Sequence, residues 1–511
     1  MKRIFDNKNV RYHLFIVSLT LIYGLVATVA DFYGSPWSSA KDLVLLVMQA
    51  GVVMCATYSL LMLLALCRWV FAVVFPVMML LTTVMVWFRY TQGVVLTPMI
   101  VELCFVNDAS MAFTLLSFWL VVVLVVSFVF SAFAVWIRFR FVPSPSVLPN
   151  VAVGLLLLLS FTWLIPPFVR PVRQRMPFSF YSCTREFLSQ RGVVMAERPP
   201  FDHPAVCQTD TLTVVMVIGE SLRADHLQLN GYHRATTPLL ASDTSVVSLP
   251  SVYTDEVFTH TSVPAMLTRA DAANPDLAYE ERSFIDLFRK AGYRTAWLAN
   301  QESVKNYVYF MNECDTLVYA NSGKSLYVYD KWLDGDLLPL VDDELSRTAP
   351  LKLLVLHTIG SHWWYESHYT DEFRRFEPVI DTRIVSSCTD EELVNSYDNT
   401  ILYTDWFLTQ LIGKLKDSRA LMIYLSDHGE SLGEDGFYLH AAEHETLHWP
   451  ACMVWMSDAY KAAFPAKAAA LRRNAGGRHT TGFLFHSILS GAAIETDYVV
   501  DSLNIFHNGR D

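Results

Sequence analysis

The sequence predicts an N-terminal bundle of five transmembrane helices followed by an α/β domain with a mostly parallel central sheet. Apolar residues make up 53% of the 511 residues, which exceeds the roughly 45–50% of an ordinary soluble domain. The mean hydropathy of +0.30 agrees with this excess. The excess lies at the amino-terminal end, in five long uncharged runs. Beyond residue 209, β-branched runs alternate with helical patterns, which is typical of a parallel sheet.

The five uncharged runs are each close to the roughly 20 apolar residues that cross a bilayer as a helix. They are Tyr12–Ala30, Leu43–Cys67, Trp69–Phe88, Met111–Ile137 and Val151–Phe168. A buried soluble helix rarely runs so long without a charge. A cleaved signal peptide also fits poorly, because four more runs follow the first one. We therefore expect five transmembrane helices.

The charges of the loops predict how these helices are oriented. With a cytoplasmic N-terminus, seven Lys and Arg residues lie inside and two lie outside, in agreement with the positive-inside rule. The inside residues are Lys2, Arg3, Lys8, Arg11, Arg68, Arg138 and Arg140, and the outside residues are Lys41 and Arg89. Five crossings then place everything after about Phe168 outside the cytoplasm. That compartment is the periplasm if the host is Gram-negative.

The chain divides into three expected segments: a five-helix transmembrane domain at 1–170, an interfacial linker at 171–208 and a periplasmic α/β domain at 209–511. Arg170, Arg173 and Arg175 near the linker suit lipid headgroups, although a solvated basic linker explains them equally well. The net charge of −11 argues against a nucleic-acid partner. Five of the eight cysteines fall in the exported part, and their odd number and wide spacing give no disulfide framework. Cys183–Cys207 is a candidate pair.

The α/β domain is predicted from a succession of strands and helices. The strands are Thr211–Ile218, Arg294–Asn300, Leu351–His362 with its loop, and Ala420–Ser431, and the helices are Ser283–Tyr293 and Asn395–Asp417. Continuous β-branched runs such as the first of these strands indicate strands buried on both faces. The helix at Ser283–Tyr293 ends at Gly292.

Three of these strands end in residues that bind metals. Glu220 follows the run VVMVIG, His362 follows the run LLVLHTIGS, and Asp427 with His428 follows the run LMIYLS. Sites in open parallel sheets collect at the carboxyl ends of the strands. A single such residue is usually a cap or a loop residue, but three strand ends of this kind are harder to explain by chance. Two carboxylates and a histidine suit zinc with one position left open.

The stretch "EVFTHTSVPAML" (Glu256–Leu267) offers three hydroxyls that could serve such a site. Thr259, Thr261 and Ser262 could each cap a helix, since short hydroxyl side chains before a proline form a common helix start. One of them could instead be a nucleophile activated by a metal, which would make a hydrolase or a transferase. The stretch alone does not decide between these roles.

Several motifs together resemble the bacterial inner-membrane phosphoethanolamine transferases, which have five membrane helices and a catalytic domain of the alkaline phosphatase/sulfatase type. These motifs are "VVMVIGESLRADHLQLNGYHRATTPLL" (Val214–Leu240), TxxSVP (Thr259–Pro264) and "YLSDHGESLGEDGFYLH" (Tyr424–His440). The resemblance spans nearly the whole chain. It implies a nucleophile at Thr259, with Thr261, Ser262 and Pro264 starting the helix that aims it.

The resemblance also implies the other site residues. The zinc ligands map onto Glu220, Thr259, Asp427 and His428. Three further residues, Lys305, His362 and His440, match positions near the substrate phosphate, and the two histidines alternatively hold a second metal. For Lys305, a solvated loop charge is an equally good interpretation.

The reaction implied is the transfer of phosphoethanolamine from phosphatidylethanolamine, through a covalent intermediate on Thr259, to an envelope acceptor. Lipid A, core oligosaccharide and other periplasmic glycans are acceptors in the family. One zinc ion is implied, with a second during turnover. We expect a monomer in the bacterial inner membrane with its catalytic domain in the periplasm.

The sequence departs from the family pattern in several places. Asp255 and Ala265 stand where many members place cysteines beside the nucleophile. His260 has no family role, and a solvated loop histidine is the favoured interpretation. His444 and His448 are spaced like helix-borne zinc ligands, but without the flanking glutamate the signal is weak. In the segment Met99–Ser110, Glu102 stands where relatives commonly have Asn, which leaves donor-lipid contacts there in doubt.

Two other classes of function stay open. One is a membrane-anchored phosphodiesterase, sulfatase-like hydrolase or phosphoglycerol transferase of the same superfamily. Sulfatases need a C/S-x-P-x-R core, which is absent around Thr259, and phosphoglycerol transferases lack TxxSVP. The other class is a catalytically inactive envelope sensor. The presence of all four implied zinc ligands argues against it.

Overall fold

The structure is a computed structural model that describes residues 7–33, 35–92, 94–98, 100–102, 117–195, 197–325, 329–440 and 442–508. The chain forms two compact units. Unit 1 comprises Met1–Leu188 with Ser322–Asp330, and unit 2 comprises Ser189–Asn321 with Lys331–Asp511. The domain limits expected at 170 and 208 stay predictions.

Unit 1 contains five helices, within the described residues, that are long and apolar enough to cross a membrane. They are Lys8–Tyr33, Ala40–Leu64, Arg68–Gln92, Phe118–Arg140 and Val147–Leu159, the last continued by a π-helical turn at Ser160–Leu164. These helices confirm the five expected long apolar helices. The first residues of the fourth run, 111–116, lie outside the described residues.

The membrane helices expose large apolar side chains, as a lipid environment allows. Val73 is 69% exposed and Leu148 is 81% exposed. The interior of the bundle includes aromatic contacts, with Phe71 and Phe75 stacked at 4.8 Å between ring centroids. Arg138, which the charge pattern predicts to lie on the cytoplasmic side of the membrane, is only 1% exposed. Its Nε donates to the carbonyl of Ala65 at 2.9 Å, at the end of the second helix where carbonyls lack helical partners.

The segment expected to be an interfacial linker is largely helical. Helices form at Pro166–Arg173 and Phe178–Val194. The guanidinium of Arg173 lies 4.6 Å from the centre of the Trp163 ring. The candidate disulfide is wrong, because Cys207 is a free thiol, as are Cys55, Cys67, Cys314 and Cys452.

Unit 2 is built on a seven-stranded sheet. In chain order the strands are β1 (Leu212–Gly219), β2 (Val246–Ser248), β3 (Arg294–Ala299), β4 (Thr316–Tyr319), β5 (Leu351–His357), β6 (Ala420–Ser426) and β7 (Cys452–Met456). Their spatial order is β2-β7-β6-β1-β5-β3-β4. β7 runs antiparallel to both of its neighbours, β2 and β6, and the other four pairs of neighbouring strands are parallel. The expected mostly parallel sheet is therefore confirmed.

Helices and short strand pairs complete unit 2. The α-helices in its described residues are Pro238–Ser242, Thr259–Leu267, Leu277–Glu280, Phe284–Lys290, Val308–Met311, Leu338–Ser346, Asp390–Leu415, Asp458–Ala463, Pro465–Asn474 and Phe483–Gly491. The strand pairs are Val206–Cys207 with Ile494–Glu495, Ser431–Leu432 with Tyr438–Leu439, and Val252–Tyr253 with His479–Thr480. The long helix Asp390–Leu415 begins with a capping box formed by Thr389 and Glu392, an arrangement that satisfies two free backbone amides at once.

Candidate active site

The central strand β1 and its neighbour β6 deliver the main side chains of the site. The two strands pair in parallel, with Ile218 opposite Leu425 and Gly219 opposite Ser426. The next residue of each chain segment is therefore an acid, Glu220 on one side and Asp427 on the other. Both strands are continuous apolar runs that are almost entirely buried. The site therefore lies where parallel sheets are expected to place one, at their carboxyl edge.

Glu220, Asp427 and His428 form a compact group that could hold a metal ion. Their potential ligand atoms all lie within 4.8 Å of one another, and all three side chains are buried. His428 Nε2 lies 3.6 Å from Glu220 Oε1 and 3.4 Å from Asp427 Oδ2. The sequence analysis singled out these three residues, and the structure brings them together.

The hydrogen bonds around this group leave its ligand atoms pointing inward. His428 Nδ1 lies 2.7 Å from the carbonyl oxygen of Gly429, so Nδ1 carries the proton and Nε2 presents its lone pair to the carboxylates. Asp427 Oδ1 accepts from the amides of Ser221 and His428 at 3.1 and 2.8 Å. Asp427 Oδ2 has no hydrogen-bond partner among the described residues. A buried oxygen without a partner is costly, and a cation would satisfy it.

The electrostatics of the group also favour a cation. Burial raises the pKa of Asp427 to about 7, and the neighbouring Glu220 carboxylate adds to the shift. Burial likewise raises the pKa of Glu220. Two adjacent buried carboxylates resist carrying charge together unless a positive charge lies between them. The residues therefore fit a divalent cation by both their geometry and their charge.

Thr259 lies beside this group. Its Oγ1 donates to Glu220 Oε2 at 3.0 Å and lies 3.4 Å from His428 Nε2. Thr259 is the first residue of the helix Thr259–Leu267, whose N-terminal end favours negative charge. Ser262 Oγ, one turn further on, donates to the carbonyl of Asp427 at 2.7 Å and ties this helix to the β6 end.

The start of this helix differs from the expectation. The helix begins at Thr259 rather than at Thr261, and Pro264 lies inside it. The residue that caps the helix is Phe258, which makes no side-chain capping bond. Its carbonyl accepts from the amides of Thr261 and Ser262 at 3.0 and 2.8 Å. The hydroxyls therefore do not cap the helix, because the backbone of an apolar residue already starts it.

His440 and His362 line the same site. The His440 ring lies 5.0 Å from the His428 ring and 5.9 Å from the His362 ring, between centroids. The carboxylate of Glu430 lies 3.5 Å from His440 Nδ1. Burial lowers the pKa of His440, but the hydrogen bond and charge of Glu430 and the charges of Glu220 and Asp427 together outweigh burial and raise this pKa to about 9. Burial lowers the pKa of His362 to about 4.

The remaining candidates from the sequence are Lys305, His260, His444 and His448. Lys305 is exposed in a turn, and in the described part of the chain no hydrogen bond joins it to the group. His260 is exposed and stacks on Phe258 with 5.6 Å between ring centroids. His448 Nδ1 lies 2.7 Å from the carbonyl oxygen of Thr254. His444 precedes the short 3₁₀ helix Glu445–His448, so the two histidines do not share an α-helix.

Two residues of the site carry no assignment from the sequence. Gln301 Nε2 donates to Glu220 Oε2 at 2.9 Å, and Glu430 faces His440 as described above. Gln301 follows β3 by two residues, so the strand-end rule could have found it, but an amide gives no metal-ligand signal. Of the segment Met99–Ser110, only 100–102 lie in the described residues. The expectation about donor-lipid contacts of this segment therefore lies mostly outside the described residues.

Comparisons with known proteins place this site in a family. The family described as Sulfatase matches residues 213–493. Phosphoethanolamine transferase EptA of Escherichia coli (strain K12) is 32% identical over 301 residues, which cover 56% of this chain and 54% of that protein. Kdo(2)-lipid A phosphoethanolamine 7''-transferase of the same strain is 33% identical over 272 residues, covering 51% and 47%. The chain thus spans about half the length of these curated relatives.

Solved structures show the same fold. The soluble domain of lipooligosaccharide phosphoethanolamine transferase A from Neisseria meningitidis is 30% identical with a TM-score of 0.56, covering 61% of this chain and 97% of that one. The integral membrane protein EptA from Neisseria meningitidis is 24% identical with a TM-score of 0.55. This match covers 96% of this chain and 98% of that one. The periplasmic domain of EcEptC from Escherichia coli, solved in complex with Zn, has 24% identity and a TM-score of 0.55, covering 62% and 92%.

These matches confirm the resemblance and the fold class predicted from the sequence. The membrane helices followed by the α/β domain correspond to the full-length EptA fold. The family match covers the seven strands of the central sheet except for Leu212, the first residue of β1, and it includes the whole Glu220, Asp427 and His428 group. The chain belongs to the sulfatase family, and the two curated relatives described above are named as phosphoethanolamine transferases.

Proposed function

We propose that the protein is a zinc-dependent phosphoethanolamine transferase that moves the headgroup of phosphatidylethanolamine to a cell-envelope acceptor. The observation that carries this proposal is the position of the Thr259 hydroxyl, 3.0 Å from Glu220 and 3.4 Å from His428. It places a nucleophile against a possible metal site, in a chain with five membrane-length helices. The names of the matched relatives support the same activity.

Zinc is the metal that the donor set favours. Two carboxylates and one imidazole suit zinc, and a catalytic zinc site keeps one position open. Glu220, Asp427 and His428 would hold the ion, and Thr259 would complete the set. When bound, zinc would supply the positive charge that lowers the pKa of an attacking hydroxyl and offsets the charge on phosphoryl oxygens.

The first half of the reaction forms a bond between Thr259 Oγ1 and the phosphorus of the donor lipid. The bond between that phosphorus and the diacylglycerol oxygen breaks, and diacylglycerol leaves with a proton. Because Thr259 Oγ1 donates its hydrogen bond to Glu220 Oε2, this carboxylate is placed to receive the hydroxyl proton. The phosphoethanolamine group is then held covalently on Thr259.

The second half reverses these roles. A hydroxyl or phosphate oxygen of the acceptor bonds to the phosphorus and gives up its proton, the Thr259 oxygen leaves, and that proton restores the Thr259 hydroxyl. His362 and His440 would hold the phosphoryl oxygens, with Lys305 near the donor phosphate, which is mainly electrostatic stabilisation. The Ser262 bond to the carbonyl of Asp427 keeps the Thr259 helix in place through both halves.

The location of the protein and its partners follow from this reaction. The donor is a bilayer lipid, so membrane helices keep the enzyme where the donor is. We propose a multi-pass inner-membrane protein that acts as a monomer, with unit 2 in the periplasm, where envelope acceptors are exposed. Lipid A is the acceptor that the name of one relative supports.

The experiment compares two threonines of the same helix. Wild type, Thr259→Ala and Thr261→Ala are expressed, and the envelope lipids and glycans are analysed by mass spectrometry for phosphoethanolamine adducts. Thr261→Ala is the matched control, because its hydroxyl donates to the carbonyl of Phe258 and not to the metal group. We expect adducts with wild type and Thr261→Ala and none with Thr259→Ala. Equal adducts with all three proteins would refute the mechanism, and phosphate or sulfate release without adducts would point to a hydrolase.

A further inference from the structure

Gln301 is a buried amide in contact with one of the proposed metal ligands. Its side chain is 3% exposed, and its Nε2 donates to Glu220 Oε2 at 2.9 Å. The same carboxylate oxygen accepts from Thr259 Oγ1 at 3.0 Å. One oxygen of Glu220 therefore connects Gln301 to the nucleophile.

A second hydrogen bond fixes the orientation of the Gln301 amide. Its Oε1 accepts from the backbone amide of Glu302 at 3.1 Å. This contact assigns the oxygen and nitrogen ends of the side chain, since only the NH₂ end can donate to a carboxylate. The amide is thus held at both ends, and its donor points at Glu220.

The loop that carries Gln301 is itself anchored. The preceding residue, Asn300, donates to Asp334 Oδ1 at 2.8 Å and accepts from Trp332 Nε1 at 2.9 Å. Asp334 also accepts from the backbone amides of Ile359 and Gly360 at 2.9 and 3.0 Å. These bonds join the loop after β3 to the loop after β5, so Gln301 is presented by a rigid support.

The hydrogen bonds of Glu220 show what Gln301 contributes. Oε1 accepts from Ser221 Oγ at 2.8 Å, and Oε2 accepts from Thr259 and Gln301. Thr259 is the nucleophile in the proposed reaction, so its hydrogen bond is lost when it reacts. Gln301 is then the donor that remains on Oε2 and keeps the carboxylate from rotating.

We propose that Gln301 is a positioning residue of the metal site, which holds the Glu220 carboxylate in the orientation that binds the metal and accepts the Thr259 proton. This inference rests on the proposed function in two respects, that Glu220 is a metal ligand and that Thr259 is the nucleophile. Side chains that hold a ligand in this way set metal affinity, and their removal typically costs about 10–100-fold.

The test measures zinc affinity in the full-length chain in detergent, by competition with a chromophoric chelator. Gln301→Met keeps the length of the side chain and removes the donor. Gln190→Met is the matched control, because Gln190 is a second buried glutamine that hydrogen-bonds the same loop, at Ser303, without contacting Glu220. We expect zinc affinity to fall about 10–100-fold in Gln301→Met and to stay near the wild-type value in Gln190→Met. The melting temperatures of the metal-free proteins show whether both variants fold.

Two outcomes would overturn the inference alone: wild-type zinc affinity in Gln301→Met, or an equal loss in both variants, which would indicate a structural role of the loop. If Gln301→Met does not fold, Gln301→Asn replaces it, since its shorter amide should still weaken zinc binding. Unchanged zinc affinity in that variant would also overturn the inference. Failure of the wild-type chain to bind zinc would overturn the ligand assignment of the proposed function, and this inference with it.

Discussion

Gly360 packs so closely on Glu220 that a single methyl group there should disturb the metal site. A Cβ at this position would lie 2.8 Å from the carbonyl oxygen of Glu220 and 3.0 Å from its amide nitrogen. Heavy atoms pack without repulsion at about 3.5–4.0 Å, so the Glu220 backbone or the loop after β5 must move. The φ of +51° at Gly360 adds a conformational cost for alanine.

The magnitude has two parts. A left-handed conformation costs a residue with a Cβ about 1–2 kcal/mol. Overpacking against a backbone that cannot rotate away adds about 1–3 kcal/mol. If the overlap is relieved by displacing Glu220, the second part appears as weaker metal binding, because 1–3 kcal/mol corresponds to about 5–150-fold in affinity.

Gly292→Ala is the control that separates the cost of the left-handed conformation from the cost of overpacking. Gly292 has a φ of +88°, and a Cβ there would meet nothing within 4 Å. Its φ lies further from the left-handed minimum near +57°, so the control bears at least the same conformational cost. The assays are the melting temperature of the full-length protein in detergent and its zinc affinity by chelator competition. We expect both variants to melt lower than wild type and only Gly360→Ala to lose zinc affinity. The reasoning would be refuted if Gly360→Ala and Gly292→Ala had equal melting temperatures and both bound zinc with wild-type affinity.

Three further predictions concern stability, pH and the donor. Ser262→Ala leaves the buried carbonyl of Asp427 without its hydrogen-bond donor, so it should destabilise the protein by about 1–3 kcal/mol. The control Thr261→Ala should change stability by less than about 0.5 kcal/mol. Equal melting temperatures of these two variants would contradict the prediction. Burial raises the pKa of Glu313 from 4.5 to about 7, so the folded chain binds that proton more tightly than the unfolded chain. Its contribution to stability is full below about pH 4.5 and is lost as the pH rises through about 7. Glu313→Gln should remove this part of the pH dependence of the melting temperature, and an unchanged profile would count against it. Lys305→Ala should raise the KM for the donor lipid by at most about fivefold, because Lys305 is exposed and exposed charge pairs contribute up to about 1 kcal/mol. The zinc affinity of this variant should equal that of the wild type. An unchanged KM would show that Lys305 is not part of the site.

The elements that dominate the sequence pattern were predictable. Uncharged apolar runs mark the membrane helices because no other environment tolerates them at that length. The run at β1 indicates a central strand because both of its faces are buried. The rule that sites lie at the carboxyl edge of a parallel sheet then brings Glu220 and Asp427 together, as the structure does.

The remaining features depend on tertiary contacts that a sequence pattern does not carry. The Thr259 helix begins after Phe258, an apolar residue whose backbone carbonyl accepts the first amides, so rules based on capping side chains place the start too late. The helix Phe178–Val194 mixes polar and apolar residues without the spacing that predicts one buried face. Gln301 could not be assigned, because its role depends on the distance to a carboxylate 81 positions away in the sequence.

The place of β1 at the centre of the sheet has a consequence for how the protein matures. Its two neighbours, β5 and β6, both come much later in the chain, and Ser221 meets Asp427 across 206 positions. Contacts of such sequence separation form slowly and leave apolar strands exposed in the meantime. A nascent chain that ends before β6 holds Glu220 without Asp427 and His428. If the proposed metal site is correct, a chain can bind its metal only after the distant halves of the sheet have met.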